Sequence, residues 1–461
     1  MRGPGDILLL ATYELGRQPL HLASPLAFLE AAGYRPRAID LAVERFDDEA
    51  ARAARLVAIA APMHTGLRLA LAAIARVRRV NAAAPIVVYG LYAPLYEALL
   101  RARGVAAVLG GEYEAALVDL VRASEGGAAP SPPSVTLARL AFPRPSRAAL
   151  RPLDRYARLL HPDGRARLVG AVEASRGCKY LCRHCPIPSV YGGRFFVVPR
   201  EIVLDDINQQ ISAGAEHITF GDPDFLNGPR HALELARALH AAHPSLTFDV
   251  TTKIEHLLRH RELLPELAAL GCLFVVSAVE SLSDRVLALL DKGHTRADVD
   301  AALAACRAAG ITLRPSLVAF TPWTTLDDYL QLFDWIEREA LFDAIDPVHL
   351  AIRLLVPPRS LLLEHPEARG AFGPFDEATL VHPWAHPDAR MDALQAAALA
   401  LCEEAAAAAE EPRTTFYRLK ALALTVAAGR PLPPPPAPRP HAHTHPPPAQ
   451  RAPKLTETWF C

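Results

Sequence analysis

The chain has 461 residues, enough for two or three domains and at least one large core. Hydrophobic residues make up 51% and charged residues 21%, the balance of a globular protein. Lys plus Arg number 49 against 50 for Asp plus Glu, and a net charge of -1 argues against a nucleic-acid partner or an acidic membrane surface.

The opening MRGPGDILLLATYELG has an apolar run of only four residues before Ala11, Thr12 and Tyr13, too short for a signal peptide or a spanning helix. No other stretch approaches the ~20 apolar residues a membrane helix needs, so no membrane partner is expected. Over residues 1–125, the apolar runs DILLL, RAID, LVAIAA, IVVYG and VAAVLG alternate with helical stretches such as SPLAFLEAAG and LALAAIARVRR. That alternation predicts an α/β domain with a doubly wound, flavodoxin-like parallel sheet. Residues 126–165, with GGAAPSPPS and FPRPSRAALRP, read as a linker.

A second series occupies residues 166–360. LVGAVEA, HITFG, LTFDVTT, LFVVSAV, TLRPSLVAF and HLAIRLL are its predicted strands, with helices such as EIVLDDINQQISAG and LDDYLQLFDWIERE between them. Six such units predict a partial (β/α)6 barrel, open on one side. Residues 361–430 read as helical, and 431–453 as a Pro/His-rich, extended spacer that cannot build a core. Within that spacer, His441, His443 and His445 can bind a metal ion or simply form a soluble biased segment. Residues 454–461 end the chain as KLTETWFC.

The strongest chemical signal is EASRGCKYLCRHCPIPSVYGG. Cys178, Cys182 and Cys185 have C-x3-C-x2-C spacing directly after the first strand of the second series. Three thiolates on one loop can hold three irons of a [4Fe-4S] cluster and leave the fourth open. The competing reading, a zinc knuckle, needs a fourth ligand, and His184 sits between two of the cysteines. Seven cysteines, three of them within eight positions, point to metal binding in a reducing cytoplasm rather than to disulfides. Cys272 (LGCLF) and Cys306 (AACRAAG) have apolar neighbours and read as core residues.

This motif after the first strand of a six-unit barrel resembles the radical S-adenosylmethionine (SAM) enzymes, over residues 168 to about 355. The resemblance implies that SAM chelates the open iron and is cleaved to methionine and a 5'-deoxyadenosyl radical. It implies a flavodoxin or ferredoxin as electron donor. His184 stands where the family usually has an aromatic residue packing on adenine, and an imidazole can stack as well. By the same resemblance, Gly221 and Asp222 of FGDPDF would bind the SAM amino group. Ser277 and Glu280 would meet the ribose or carboxylate, and Arg314, Ser316 and Arg353 would face the carboxylate. The alternative for each is an ordinary loop charge or a strand-end cap.

A flavodoxin-like domain ahead of such a barrel is similar to the cobalamin-dependent subfamily, although Asp-x-His-x-x-Gly is absent. His21 and His64 fall on the ligand-binding edge of the sheet, or are ordinary loop histidines. Gly90, Gly110 and Gly111 suit close approach of a cofactor or a plain strand-to-helix turn. Tyr89 and Tyr92 suit a corrin face or packing. The expectation is an enzyme acting on a small molecule or peptide, with cobalamin delivering a methyl group or guiding the radical. A redox- or corrinoid-sensing protein that keeps its cluster without turnover, and a zinc-stabilised structural protein, stay open as alternatives. No basic, aromatic-rich nucleic-acid footprint is present.

The tail also resembles the radical SAM family named for a Cys-Sec-Ala-Glu-Pro or Cys-Cys-Ala-Glu-Pro terminus. The chain stops at Cys461, the first letter of that motif. One expectation is a selenocysteine codon, read as a stop, directly after it; the other is a genuine end with a single thiol. The 23-residue spacer from Pro431 to Pro453 would span up to ~70 Å in polyproline form, making Cys461 a candidate redox or substrate-handling group on a tethered arm.

Overall fold

A computed structural model describes residues 1–126, 132–429 and 452–457. The histidines at 441, 443 and 445, Cys461 and nearly all of the spacer lie outside the described residues.

The first domain is a parallel sheet of β1 (Ile7–Ala11), β2 (Arg37–Asp40), β3 (Leu56–Ala60), β4 (Ile86–Tyr89), β5 (Ala107–Gly111) and β6 (Val135–Thr136). Its order, β2-β1-β3-β4-β5-β6, is flavodoxin-like over the first five strands. Ile7 to Ala11 and Leu56 to Ala60 are buried throughout, as strands covered on both faces must be. Helix His64–Val80 buries Leu67, Ala70, Ile74 and Val77, a three-to-four residue period that gives it one apolar face.

The predicted linker does not stay free. Val135 and Thr136 extend the first sheet beside Gly110 and Gly111. β7 (Arg158–Leu160) pairs antiparallel with β8 (Ala166–Val172) of the second. Arg147 is buried and fastens this stretch, with a two-pronged bond to Asp206 at 2.6 and 2.8 Å and a third to Gln18 at 2.8 Å.

After β8 come β9 (Ser175–Gly177) and β10 (Phe195–Val197), an antiparallel pair, then β11 (His217–Phe220), β12 (Thr247–Thr251), β13 (Cys272–Glu280) and β14 (Thr312–Leu317). The last strand, β15 (Lys454–Leu455), comes from the chain's final segment. The second sheet runs β14-β13-β12-β11-β8-β7-β15, a curled half-barrel with parallel strands from β8 to β14. The predicted sixth strand is replaced. Pro347 to Leu350 form a 3-10 turn, and only a Phe320–Arg353 bridge continues the sheet.

Alternation along the barrel strands separates two environments. Ile218, Phe220, Phe248, Val250, Val275 and Leu313 face the helices 200–212, 229–242, 296–309 and 326–338 and form the main core. Polar residues at alternate positions, including His217, Thr219, Asp249, Arg314 and Ser316, line the inner face. Helices Ala389–Ala407 and Pro412–Ala428 pack over the far end through Leu394, Ala398, Phe416 and Leu419. No helix among the described residues is long and apolar enough to cross a membrane.

Gly111 closes β5 with φ +70, and a Cβ there would stand 2.3 Å from Thr136 O. Gly111→Ala is therefore expected to destabilise the cofactor-free protein by roughly 2 kcal/mol or more, through left-handed backbone strain and a displaced β6. Chemical denaturation of the apo-protein checks this.

Candidate active site at the mouth of the half-barrel

The β9–β10 pair pins both ends of the loop carrying Cys178, Cys182 and Cys185, so the thiols sit where the parallel strands end. All three thiols are free, and Cys178 and Cys182 are buried. Burial pushes the Cys178 and Cys185 thiols up, so bare thiols here keep their protons and metal ligation would remove them. No three His, Cys, Asp or Glu groups among the described residues converge as a mononuclear zinc site requires. Three thiols on one loop, near enough that Cys182 and Cys178 both act on Cys185, suit a cluster in which each would hold its own iron.

The loop is tied down on two sides. Lys179 Nζ donates to Asn227 O at 2.5 Å, and Tyr180 OH lies 2.8 Å from His256 Nε2. His256 Nδ1 is 2.7 Å from Asp224 Oδ2, and Asp224 also takes the Thr252 hydroxyl at 2.8 Å. On the other side Arg183 donates to the carbonyls of Ala288 and Leu289, both at 3.0 Å. His184 Nε2 is 3.1 Å from Glu280 Oε1, and Lys292 Nζ is 3.3 Å from the same oxygen. Burial alone would raise Glu280, yet Lys292 and His184 bring it down to about 2. Glu280 ends β13 with φ +65 at a bulge, a strained backbone that aims its carboxylate at the cysteine loop. His184 Nδ1 is buried without a hydrogen-bond partner, and burial, with Lys292 beside it, depresses His294 to about 4 against a backbone bond to Val279. Unpartnered polar atoms at a barrel mouth are what a polar ligand would satisfy.

The other expected SAM contacts divide. Gly221 ends β11, its N–H donating to Val172 O at 2.7 Å. Asp222 turns its carboxylate inward, accepting from Ser175 Oγ at 2.5 Å and Ala174 N at 2.9 Å. Burial raises it to about 7. The acid beside Cys178 is instead Asp224, two residues on. Ser277 shares a strand face with Val275 and Val279, both in the helix-packed core, and its Oγ is buried without a hydrogen-bond partner. Arg314 points inward but is committed to Asp346 Oδ2 at 3.1 Å and to the carbonyls of Asp343 and Pro453 at 3.0 and 3.3 Å. Arg353 lies over the Trp384 ring at 3.5 Å and donates to Asp392 at 2.7 Å, fastening the terminal helical region. Ser316 lines an inner cavity. Cys272 and Cys306 are in the helix-packed core, where their apolar neighbours suggest they belong.

In the first domain the glycines answer to internal packing. A Cβ on Gly90 would stand 3.0 Å from Ala61 O, and one on Gly110 2.4 Å from Pro94 Cγ, so both serve turns rather than an open cradle. Tyr89 is a packing residue, its hydroxyl donating to His21 O at 2.7 Å and its ring 5.0 Å from Tyr113. His21 Nδ1 is 3.1 Å from Glu14 Oε2. His64 begins its helix edge-on to Tyr92 at 6.3 Å, its ring mostly buried and in backbone contact with Thr379. A histidine beside a tyrosine ring is a polar–aromatic pairing that fits a large planar cofactor.

Between the domains runs a buried charge network that sequence reasoning missed. Arg176, two residues before Cys178, donates to Glu114 at 3.0 Å and Glu173 at 3.0 Å, with Glu112 at 3.7 Å. Arg17 enters from the loop after β1; burial pulls its guanidinium below the usual value against the attraction of Asp249, Glu14 and Glu173. The signals were GGEYE and ASRGC, charges abutting a glycine turn and the cysteine loop; only folding shows that they meet.

Residues 172–336 match the family described as the Radical SAM superfamily. A hopanoid C-3 methylase of Methylococcus capsulatus is 25% identical over 153 residues, 33% of this chain and 29% of that enzyme. The matched stretch thus spans under a third of that relative's length. Among solved structures, the radical SAM methyltransferase TsrM from Kitasatospora setae, with cobalamin and a [4Fe-4S] cluster bound, has TM-score 0.57 and 19% identity. That match covers 73% of this chain and 70% of TsrM. The cobalamin-dependent SAM radical enzyme OxsB gives 0.61 and 15%, over 85% of this chain and 66% of OxsB. At these identities the likeness is one of fold.

Proposed function

We propose, from a chain whose residues 172–336 are a radical SAM domain, that the protein is a cobalamin-dependent radical SAM enzyme that methylates an unactivated carbon. The single observation carrying this is the position of the cysteine loop. Three free thiols stand at the mouth of a parallel half-barrel, tied through Arg176 to the ligand edge of a flavodoxin-like domain. When bound, the cluster supplies the electron that cleaves SAM, and cobalamin supplies the methyl group.

The protein's own part is to hold and shield. Cys178, Cys182 and Cys185 would ligate iron, and Lys292 offers its charge beside Cys182 and Cys185. Glu280 fixes His184 within the loop, and Lys253 places its charge over the Tyr180 ring of the same loop. His64 and Tyr92 would meet the corrin. The inner face, with Asp249, Thr219 and Ser316, gives a polar lining for a small molecule or peptide. A flavodoxin or ferredoxin is the proposed electron donor. The methylase and methyltransferase relatives support methyl transfer over the sensing alternative.

The test is anaerobic turnover with SAM carrying a deuterated methyl group, in an extract fraction of small molecules and peptides. A product heavier by the labelled methyl is expected, with S-adenosylhomocysteine and 5'-deoxyadenosine in parallel. Formation of 5'-deoxyadenosine with no labelled product and no S-adenosylhomocysteine would rule out methyl transfer and keep the radical chemistry.

A further inference from the structure

The last described segment, residues 452–457, has a built seat. Lys454 and Leu455 pair antiparallel with Leu160 and Leu159 of β7. Thr456 N donates to Arg158 O at 2.8 Å, and Arg158 N donates to Thr456 Oγ1 at 2.8 Å. From inside the barrel Arg314 Nη1 donates to Pro453 O at 3.3 Å, and Lys454 Nζ lies 3.5 Å from Asp346. Leu455 packs on Leu159, Val169 and Phe274.

The seat is shared with the first domain. Tyr13 OH, in the loop after β1, donates to Glu457 Oε1 at 2.5 Å. Three residues on, Gly16 has φ +64, and a Cβ there would stand 2.8 Å from Glu457 Cβ. Any side chain at 16 would collide with the segment. Because β15 is antiparallel to β7, and β7 to β8, the segment runs with the barrel strands toward their ligand end. Leu455 and Glu457, two apart on an extended chain, share one face. Together they wall a cavity that is narrow while the segment is seated, about 40 Å³, also lined by Phe274, Val276, Ser316 and His349.

A ladder of two residues is marginal by itself. A strand held by so few bonds, on a sheet edge, is the kind of element that opens locally while the rest stays folded.

We propose that residues 452–457 are a removable cover of the barrel cavity, seated jointly by the two domains, which undocks to admit what the cavity binds. It rests on the reading above only in taking that cavity as the substrate's. Hydrogen exchange on the full chain, without SAM or turnover, tests it separately. Amides of 454–456 are expected to exchange at least about tenfold slower than free chain, yet at least about a hundredfold faster than those of β13. Exchange at the free-chain rate would show no seat, and exchange as slow as β13 would show a fixed strand; either overturns the proposal.

Gly16→Ala should abolish protection at 454–456 while leaving β13 unchanged. Protection unaffected by Gly16→Ala would overturn the shared seat. Should Gly16→Ala disturb β13 too, Thr456→Pro, which removes the bond to Arg158 O, takes its place with the same expectation. Undocking should also raise the fluorescence of an added anilinonaphthalene sulfonate dye severalfold; no rise would show that the segment covers nothing.

Discussion

Cys182→Ala is expected to lose the iron–sulfur absorbance of the reconstituted protein and drop 5'-deoxyadenosine formation to background. On the proposed reading each of the three thiols would hold one iron, so removing one leaves that iron without its protein ligand. The loss is chemical rather than structural. Cys182 lies in none of the hydrophobic clusters, and its loop is held by Tyr180, Arg183 and His184 instead. The apo-variant should unfold within about 1 kcal/mol of the parent. Iron and sulfide analysis, read with the unfolding curve, checks both halves. Cys306→Ala makes the contrast, removing a fully buried core side chain while leaving iron content intact.

Arg176→Met is expected to destabilise the fold by about 3–5 kcal/mol, because Glu114 and Glu112 stay buried without their cation. The pH dependence has a definite sign. Burial alone would raise Glu114, but Arg176 and Ser24 more than reverse it, and its carboxyl lies below the usual value. That stabilisation is present above the unfolded carboxyl value and lost as pH falls through the folded one. Glu112, by contrast, is pushed up to about 7 by burial, despite the partial pull of Arg176. Without the guanidinium both acids would hold protons in the fold more tightly than in the unfolded chain. The variant's deficit should therefore shrink as pH falls from about 8 to about 5. Denaturant midpoints of both proteins across that range measure it; a deficit independent of pH would mean the network contributes packing alone. Because Arg176 is two residues from Cys178, weaker cluster retention should accompany the loss.

Strands and helices with a clean hydrophobic period were legible from the residues, as were the flavodoxin-like order and the cysteine loop. What was not legible depends on side-chain direction. Asp222 and Asp224 are two apart in one turn, and only the fold shows the first bonding back to Ser175 while the second stands by Cys178. Ser277 and Ser316 look alike in sequence, yet strand alternation sends one toward the helices and the other into the cavity. Arg314 and Arg353 have partners far along the chain that the sequence does not point to, Asp346 with Pro453 and Asp392 with Trp384. HLAIRLL has a strand's composition, but Pro347 removes a donor and a 3-10 turn forms. The final KLTE drew notice as chain resuming after prolines. Its partners, Arg158 and Tyr13, lie some 300 and 440 residues away.

The most direct test of the central claim is 5'-deoxyadenosine formed from SAM by anaerobically reconstituted, reduced protein, measured against its iron content. A radical SAM enzyme built as described should hold about four irons per chain and form 5'-deoxyadenosine in a SAM- and reductant-dependent way. Full iron loading with no SAM cleavage under any reductant would contradict it, leaving a cluster protein that senses rather than reacts.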